Sequence, residues 1–227
     1  MKPQLSLIIP VLNEAGQLAT RLQALQPLRN CCQLLLVDGG SFDDSAQIAK
    51  PLVDQVLHGS RGRALQMNFG AAGAQAEVLL FLHADTCLPD NAVNQILQAV
   101  ASGYHWGRFD VSFDSPQPVF KLIAFMMNLR SRLTGIATGD QALFMTRQAF
   151  DEVAGFPDIA LMEDIAISAS LKKRGRPCCL TAKVIASARR WQEHGIVKTI
   201  LLMWWLRLRY FFGADPADLV LRYYRRS

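Results

Sequence analysis

The chain has 227 residues, of which 51% are hydrophobic and 19% charged, and its formal net charge is +5. This length suits one sizeable domain, and this composition excludes a disordered chain. The positive charge is concentrated in the last third and indicates an anionic partner, either a phosphate-bearing substrate or an anionic lipid. Nucleic acid is disfavoured as a partner, because basic and aromatic residues do not interleave.

The five cysteines form two adjacent pairs and a singleton, which is neither a zinc-binding pattern nor an even disulfide framework. Reduced thiols in a cytoplasmic protein are therefore expected. The amino terminus leads directly into an apolar run without a cleavage site, so no signal peptide is predicted. No uncharged run reaches the roughly 18 apolar residues that a membrane-spanning helix needs.

The first half of the chain alternates between buried strands and helices. Apolar runs predict strands at residues 5–11, 33–37, 54–57 and 78–82. Helices are predicted to begin near residues 13, 41, 63 and 89, with Ser41 capping the second. This alternation is typical of an α/β fold, with a mainly parallel central sheet and helices on both faces.

The second half of the chain has a different pattern. Alternating polar and apolar residues predict a half-solvated strand that ends at residue 113. A helix over 118–133, a polar loop over 134–141, a short strand over 142–146 and a helix over 161–174 follow. No repeat or convincing linker separates the two halves, so a single domain is predicted.

Four loops are expected along one edge of the sheet, because the carboxyl ends of parallel strands meet there. They cover residues 10–14, 38–41, 59–63 and 83–86; three present carboxylates and one presents arginines. Arginine pairs with phosphate, and carboxylates accept hydrogen bonds or hold Mg2+ or Mn2+. This mixture of groups indicates a nucleoside diphosphate with a divalent cation.

Four motifs carry a family resemblance: residues Ile8 to Glu14, Asp38-Gly39-Gly40-Ser41, His83-Ala84-Asp85 and Glu163-Asp164. Together and in this order they resemble family-two glycosyltransferases of the GT-A fold, over residues 5–191. The subgroup that the chain most resembles is the small bacterial "transferase 2" proteins linked to radical-SAM and arsenosugar pathways. The resemblance implies a nucleotide-diphospho-sugar donor bound by residues 1–102 and a helical tail over 193–227. The acceptor held by residues 103–192 would be a hydroxyl of a small or lipid-linked molecule of unknown identity.

The resemblance also implies roles for single residues. Asp85 would hold Mg2+ or Mn2+, Asp164 would be the general base, and Arg190 would stabilise the leaving diphosphate. Direct displacement would invert the anomeric configuration. The remaining candidates, which would bind substrate, are Pro10, Leu12, Glu14, Asp38, Arg63, His83, Ala84, Asp140, Gln141, Glu163 and Trp191.

His83 marks a departure from the family, whose metal motif is usually Asp-x-Asp. The second aspartate, the usual metal ligand, is retained as Asp85. The first, which commonly contacts ribose, is replaced by His83, which we interpret as a hydrogen-bonded neighbour of the site rather than a ligand. His194 is a further candidate ligand, with an exposed histidine as the alternative.

Each motif also has a purely structural interpretation. Residues 38–41 could be a strand-to-helix turn with a cap, and residues 140–141 a polar turn. Glu14 and the pair at 163–164 could simply favour helix amino termini through the helix dipole.

The tail from Ile196 to Phe212 is apolar and aromatic but is interrupted by Lys198, Arg207 and Arg209. It predicts a helix at a membrane interface, against the domain itself, or against a second copy of the chain.

The sequence also bears on three other functions. A sugar nucleotidyltransferase would carry a Gly-rich loop after the first strand, and a Rossmann dehydrogenase would carry G-x-G-x-x-G there. Neither pattern is present. A non-catalytic nucleotide-sugar binder is kept open by His83 and disfavoured by Asp85, Asp164 and Arg190.

Overall fold

A computed structural model describes residues 2–225 of the chain. Its strands are β1 (Leu5–Val11), β2 (Cys32–Asp38), β3 (Gln55–His58), β4 (Val78–Phe81), β5 (Trp106–Phe113), β6 (Leu143–Thr146) and β7 (Cys178–Ala186). They form one sheet in the order β3-β2-β1-β4-β6-β5-β7. The four amino-terminal strands are mutually parallel, β6 is antiparallel to both neighbours, and β7 is parallel to β5. The predicted mainly parallel α/β sheet is confirmed.

The helices within residues 2–225 cover both faces of this sheet, and the last three follow the final strand as a helical tail. They are α1 (Ala15–Ala24), α2 (Ser45–Ala49), α3 (Arg63–Gly73), α4 (Ala92–Ala101), α5 (Pro118–Thr134), α6 (Arg147–Glu152), α7 (Glu163–Lys172), α8 (Arg189–His194), α9 (Ile196–Phe211) and α10 (Pro216–Arg225). Short 3₁₀ turns lie at Gln26–Asn30 and Gly139–Gln141.

The apolar runs of the sequence arise because each central strand is buried on both faces. On one face, Leu7 of β1 belongs to the same core as Leu22 of α1. On the other, Ile8 belongs to a core with Met67 and Ala71 of α3. Successive side chains of a strand point to opposite faces, so a two-sided core requires apolar residues at every position.

Helix α3 lies unusually close to the sheet at Gly70. A Cβ atom at this position would come closer than 3.0 Å to the side chains of Ile8 and Val37. Glycine is therefore the residue that allows the helix backbone to approach β1 and β2.

Strand β5 corrects one prediction, because it is not half-solvated. Arg108 is fully buried, and Asp110 is 9% exposed. Arg108 donates hydrogen bonds to Asp110 and to Ser131 Oγ, and Arg132 Nη2 lies 2.7 Å from Asp110 Oδ2. The polar residues of this strand are buried as an ion-paired network, which an alternating pattern cannot distinguish from a solvated face.

Ser41 corrects a second prediction. Helix α2 begins four residues later, at Ser45, and the residue before it is Asp44. Ser41 Oγ instead accepts a hydrogen bond from the Asn13 backbone N–H at 2.9 Å. The residue joins two loops rather than capping a helix.

The helical tail leaves many apolar side chains in solvent. Along α9 these are Val197, Leu201, Trp204, Leu208 and Phe211, which are 57–83% exposed. Leu206 on the opposite side packs with Met162, Leu219 and Tyr223. In the part of the chain between residues 2 and 225, no helix has both the length and the apolarity to cross a bilayer.

Candidate active site

The carboxyl ends of β1, β2 and β4 lie side by side, and the loops after β1 and β2 are bonded to each other. The Phe42 N–H donates to Asn13 Oδ1 at 3.0 Å, and the Glu14 N–H donates to Ser45 Oγ at 2.9 Å. These bonds fix the backbone around Glu14. The side chain of Glu14 is thereby held at the border between the β1 loop and the end of β4.

A cavity of about 370 Å3 opens beyond the end of β4. The elements that meet there are the loops after β1 and β4, the 3₁₀ turn, and the amino termini of α3, α7 and α8. The cavity brings together most of the predicted site residues: Glu14, Arg63, His83, Asp85, Asp140, Glu163, Asp164, Arg190 and Trp191. His194 lines it as well.

Four predicted site residues at the ends of β1, β2 and β4 do not line this cavity: Asp38, Pro10, Leu12 and Ala84. Pro10 is buried near the end of β1, and Leu12 and Ala84 are partly exposed on the same edge. The Asp38 carboxylate accepts from the Ser41 N–H at 3.1 Å and lies 3.5 Å from His58 Nδ1. Asp38 thus lies toward β3, whereas Pro10 and Leu12 lie at the end of β1 and Ala84 follows β4.

Gln141 is fully buried beneath the cavity. Its Oε1 accepts from the Thr138 N–H at 3.2 Å, and its Nε2 donates to Asn128 Oδ1 at 3.3 Å. Both ends of the amide are therefore used inside the fold. The side chain shapes the 3₁₀ turn that carries Asp140 and does not itself reach the cavity.

Asp164 is oriented by two backbone donors. Its Oδ2 accepts from the Gly139 N–H at 2.8 Å, and its Oδ1 accepts from the Ile165 N–H at 2.7 Å. The first bond ties the start of α7 to the 3₁₀ turn. The carboxylate is thus fixed between the two segments that carry the other acidic residues of this wall.

Glu163 is the more buried member of the acidic pair, with 6% of its surface exposed. Burial, followed by the negative charge of Asp164, raises the pKa of Glu163 above its ordinary value. The positive charge of Arg63 opposes this increase. Two neighbouring carboxyl groups therefore stand in clearly different surroundings.

His83 packs against the backbone of Gly139. A Cβ atom on Gly139 would lie closer than 3.0 Å to the imidazole ring, and His83 Nδ1 lies 3.5 Å from Asp140 Oδ1. Desolvation acts to raise the pKa of Asp140, but the hydrogen bond and the charge of His83, together with the charges of Arg63 and Arg207, hold it below its ordinary value. His83 thus joins the end of β4 to the turn across the cavity.

Asp85 and Glu14 place two carboxylates next to each other in the cavity. Burial, and then the charge of Asp85, raises the pKa of Glu14. Among residues 2–225, no three His, Cys, Asp or Glu side chains form a complete metal cage. Mg2+ typically binds through one or two carboxylates, with the remaining positions taken by substrate phosphates and water. The donor set around Asp85 fits a cation of that kind.

The cationic wall of the cavity comes from α8 and the start of α3. The Arg190 guanidinium lies 3.8 Å above the centre of the Tyr223 ring and donates to its hydroxyl. Arg189 Nη2 lies 3.5 Å from Glu14 Oε2. The Trp191 ring packs edge-on against Phe113, with 5.9 Å between centroids. The side chains of α8 thus place positive charge opposite Asp85.

Two arginines near the site have no sequence motif that could have identified their roles. Arg207, on α9, lines the cavity. Burial, followed by the charge of Arg207, lowers the pKa of Arg130 to about 10, while the charge of Asp164 raises it. Both lie on helices whose docking, rather than any local pattern, brings them beside Asp164. In the sequence, Arg207 is recognisable only as one of the charges that interrupt the apolar tail.

Strained backbone surrounds the cavity. Asn13, Ala142 and Met162 have positive φ angles of 57°, 48° and 72°. Each is adjacent to a candidate site residue, respectively Glu14, Gln141 and Glu163. A non-glycine residue in this region is uncommon, and such strain clusters at functional sites.

Comparisons with known proteins agree with this geometry. The family model for Glycosyl transferase family 2 matches residues 6–153. The undecaprenyl-phosphate 4-deoxy-4-formamido-L-arabinose transferase of Pseudomonas savastanoi pv. phaseolicola is 30% identical over 111 residues, which cover 44% of this chain and 33% of that protein. A protein of the same name from Pseudomonas syringae pv. syringae is 29% identical over 120 residues, 46% of this chain and 36% of that one. The match thus spans about a third of the length of these curated relatives.

Solved structures show the same fold. The mannosyltransferase PcManGT from Pyrobaculum calidifontis, in complex with GDP-Man and Mn2+, superposes with a TM-score of 0.63 at 20% identity over 82% of this chain and 57% of that one. Glucosyl-3-phosphoglycerate synthase from Mycobacterium tuberculosis, with Mn2+ and UDP, gives 0.60 at 15% identity over 80% and 70%. The chain has the GT-A fold, and the family match over more than half of its length shows that it belongs to glycosyltransferase family 2.

Proposed function

We propose that the chain transfers a glycosyl group from a nucleotide-diphospho-sugar to an acceptor, with inversion and with the help of Mg2+ or Mn2+. The observation that carries this proposal is that Asp85, at the end of β4, shares one cavity with Asp164 and Arg190. A metal-binding carboxylate, a base and a counter-charge for the leaving group are what such a transfer needs.

The donor is assigned to the part of the molecule formed by residues 1–102. Its nucleoside would lie along the β1 and β2 edge, at Pro10, Leu12 and Asp38, and its diphosphate would lie beside Asp85. The position of these residues supports the assignment, because ligands of open α/β sheets bind beyond the carboxyl ends of the strands. The solved relatives hold GDP-Man or UDP together with Mn2+.

The acceptor and the general base are assigned to residues 103–192, and residues of both halves stabilise the leaving group. The acceptor hydroxyl oxygen would form a bond to the anomeric carbon as the bond from that carbon to the diphosphate breaks, and Asp164 would take the hydroxyl proton. Arg190 and Arg63 would stabilise the negative charge of the departing nucleoside diphosphate. Asp85 and the diphosphate would hold the divalent cation, which supplies Lewis-acid stabilisation when bound.

The tail from residue 193 is assigned to covering the acceptor-binding side of the cavity. Its exposed stripe would make peripheral contact with a membrane or bind a second copy of the chain. A cytoplasmic location at the inner face of a membrane suits this assignment. The link to radical-SAM and arsenosugar pathways stays a prediction that rests on the sequence resemblance.

Purified protein with Mn2+ and a panel of UDP-, GDP- and dTDP-sugars tests the proposal, with release of nucleoside diphosphate as the readout. Asp85→Ala should abolish metal-dependent nucleotide binding. Asp164→Ala should retain that binding and lose roughly 10²–10⁴-fold in turnover, the usual range for general-base catalysis. Asp151→Ala, on the exposed side of α6, is the matched control and should behave as the native protein.

Two results would contradict the proposal. Normal turnover by Asp164→Ala would remove the base from its assigned position. Donor binding by the native protein without any release, across a broad acceptor panel, would favour the non-catalytic nucleotide-sugar binder.

A further inference from the structure

A long apolar groove lies beside the candidate active site. It is bounded by α9, the carboxyl end of α5 and the outer side of α7, and its volume is about 1960 Å3. Pockets for small molecules usually measure about 300–1,000 Å3, so this groove is larger than a sugar or nucleotide requires. One wall is the exposed stripe of α9: Val197, Leu201, Trp204, Leu208 and Phe211.

The groove and the active-site cavity meet. Ile165, Leu202 and Arg207 line both spaces. Ile165 directly follows Asp164 in α7. A ligand that extends along the groove would therefore place one end at the carboxylate assigned as the base.

Arg130 stands where the groove approaches the cavity. Its Nε and Nη2 are the only buried side-chain nitrogen or oxygen atoms without a hydrogen-bond partner in the part of the chain that the structure describes. Unsatisfied buried donors are rare in folded proteins and call for an explanation. The guanidinium is also partly desolvated. This burial, followed by the charge of Arg207, lowers the pKa of Arg130 to about 10.

The nearby carboxylates do not satisfy Arg130. Both oxygens of Asp164 accept from backbone N–H groups, of Gly139 and Ile165. Asp140 Oδ1 lies toward His83. Arg130 lines the groove and Arg207 lines both the groove and the cavity, so two cations stand where the two spaces meet. Two donors of Arg130 have no protein partner among the described residues.

We infer that the acceptor is an amphiphile with a phosphate monoester head group bound by Arg130 and Arg207 and a hydrocarbon chain lying in the groove along α9. The attacking hydroxyl would then be the P–OH of this head group: its oxygen bonds to the anomeric carbon as the bond from that carbon to the diphosphate breaks, and its proton passes to Asp164. This inference rests on the proposed glycosyl transfer. Phosphate offers the oxygen acceptors that the fork of a guanidinium pairs with. A hydrocarbon chain suits the wall of α9, whose exposed side chains offer little hydrogen bonding.

Binding of farnesyl phosphate, below its micelle concentration, to the 227-residue chain tests the inference by isothermal titration calorimetry. Farnesol supplies the chain without the charge, and inorganic phosphate supplies the charge without the chain. We expect farnesyl phosphate to bind at least tenfold more tightly than either. A free phosphate as the true ligand would instead give equal affinities for farnesyl phosphate and inorganic phosphate, which would overturn the inference.

Two variants locate the site. Arg130→Gln should weaken farnesyl phosphate binding at least tenfold while leaving Mn2+-dependent nucleotide binding unchanged, which also shows that the variant is folded. Leu201→Glu should weaken it similarly, and because Leu201 is 61% exposed the substitution is tolerated by the fold. Arg176→Gln, at an exposed arginine outside the groove, is the charge-matched control and should have no effect.

The result separates this inference from the proposed function. In one outcome, the native protein binds nucleotide with Mn2+ and releases nucleoside diphosphate, but Arg130→Gln and Leu201→Glu bind farnesyl phosphate as tightly as the native protein does. The acceptor assignment is then wrong, and the proposed glycosyl transfer stands. If farnesyl phosphate binds as expected but no nucleotide does, the proposed function fails.

Discussion

Neighbouring carboxyl groups in the cavity differ in what surrounds them. Glu163 is buried and its pKa is raised, first by burial and then by the charge of Asp164. Asp164 is held by two backbone N–H donors, which stabilise a carboxylate. The two members of this pair therefore differ in burial and in hydrogen bonding, as carboxyl groups with separate roles do.

Replacing Glu163 tests this difference through stability. A carboxyl group whose pKa is raised by folding stabilises the native state below its unfolded pKa and loses that contribution as pH rises through the folded pKa. Glu163→Gln removes the buried charge, so its Tm should exceed that of the native protein at pH 7 and the gap should narrow toward pH 4. The expected gain in the free energy of unfolding is on the order of 1 kcal/mol, the lower end of the cost of an uncompensated buried polar group.

Differential scanning fluorimetry across pH 4 to 8 makes this measurement. Asp151→Asn, at an exposed carboxyl group, serves as the control and should show no pH-dependent gap. A difference in Tm that stays constant with pH would mean that the buried charge of Glu163 does not destabilise the native state.

Among the elements, α3 packs directly on two central strands, and Gly70 allows this close approach. A side chain there would overlap Ile8 and Val37, which lie in two adjacent central strands. The amino terminus of the same helix begins at Arg63, which faces the cavity. Packing at Gly70 therefore positions a cation of the site.

Substitution of Gly70 by alanine should lower the free energy of unfolding by about 1–3 kcal/mol, the usual cost of overpacking a core. Gly16, which lies in α1 with open space around it, is the matched control. Gly16→Ala should instead raise stability by up to about 1 kcal/mol, because alanine is the better helix former. Urea unfolding of both variants checks the prediction, and equal effects would contradict the close contact at α3.

The sequence predicts those elements whose residues are all buried to a similar degree. Strands such as β1 and β4 are buried on both faces, so their apolar runs identified them. Strand β7 was missed because its residues alternate irregularly between exposed and buried positions at the edge of the sheet. Arg130 was missed for a different reason: its position depends on how α5 and α9 dock, which no local pattern encodes.

At the scale of the whole molecule, exposed apolar side chains form stripes along two helices. The stripe on α5, formed by Leu122, Phe125, Met126, Leu129 and Leu133, is 38–77% exposed, and the stripe on α9 resembles it. The chain also carries a net charge of +5. Apolar patches with nearby positive charge are typical of surfaces that contact anionic membranes.

Flotation with liposomes tests this property. The protein should float with vesicles rich in anionic lipid, bind much less to zwitterionic vesicles, and dissociate substantially at 0.5 M salt because screening weakens the charge attraction. Trp204→Glu should reduce the floated fraction severalfold, whereas Tyr104→Glu, at an exposed aromatic residue outside both stripes, should not. Protein that stays at the bottom but sediments as a dimer would assign the stripe to self-association.

The contact between His83 and Gly139 has a consequence for how this chain can vary. The imidazole occupies the space that a side chain at position 139 would need. A smaller aspartate at 83, as in the usual family pattern, would leave that space open and remove the restriction on position 139. The two positions, 56 residues apart in the chain, are therefore expected to change together, so that histidine at the first is accompanied by glycine at the second.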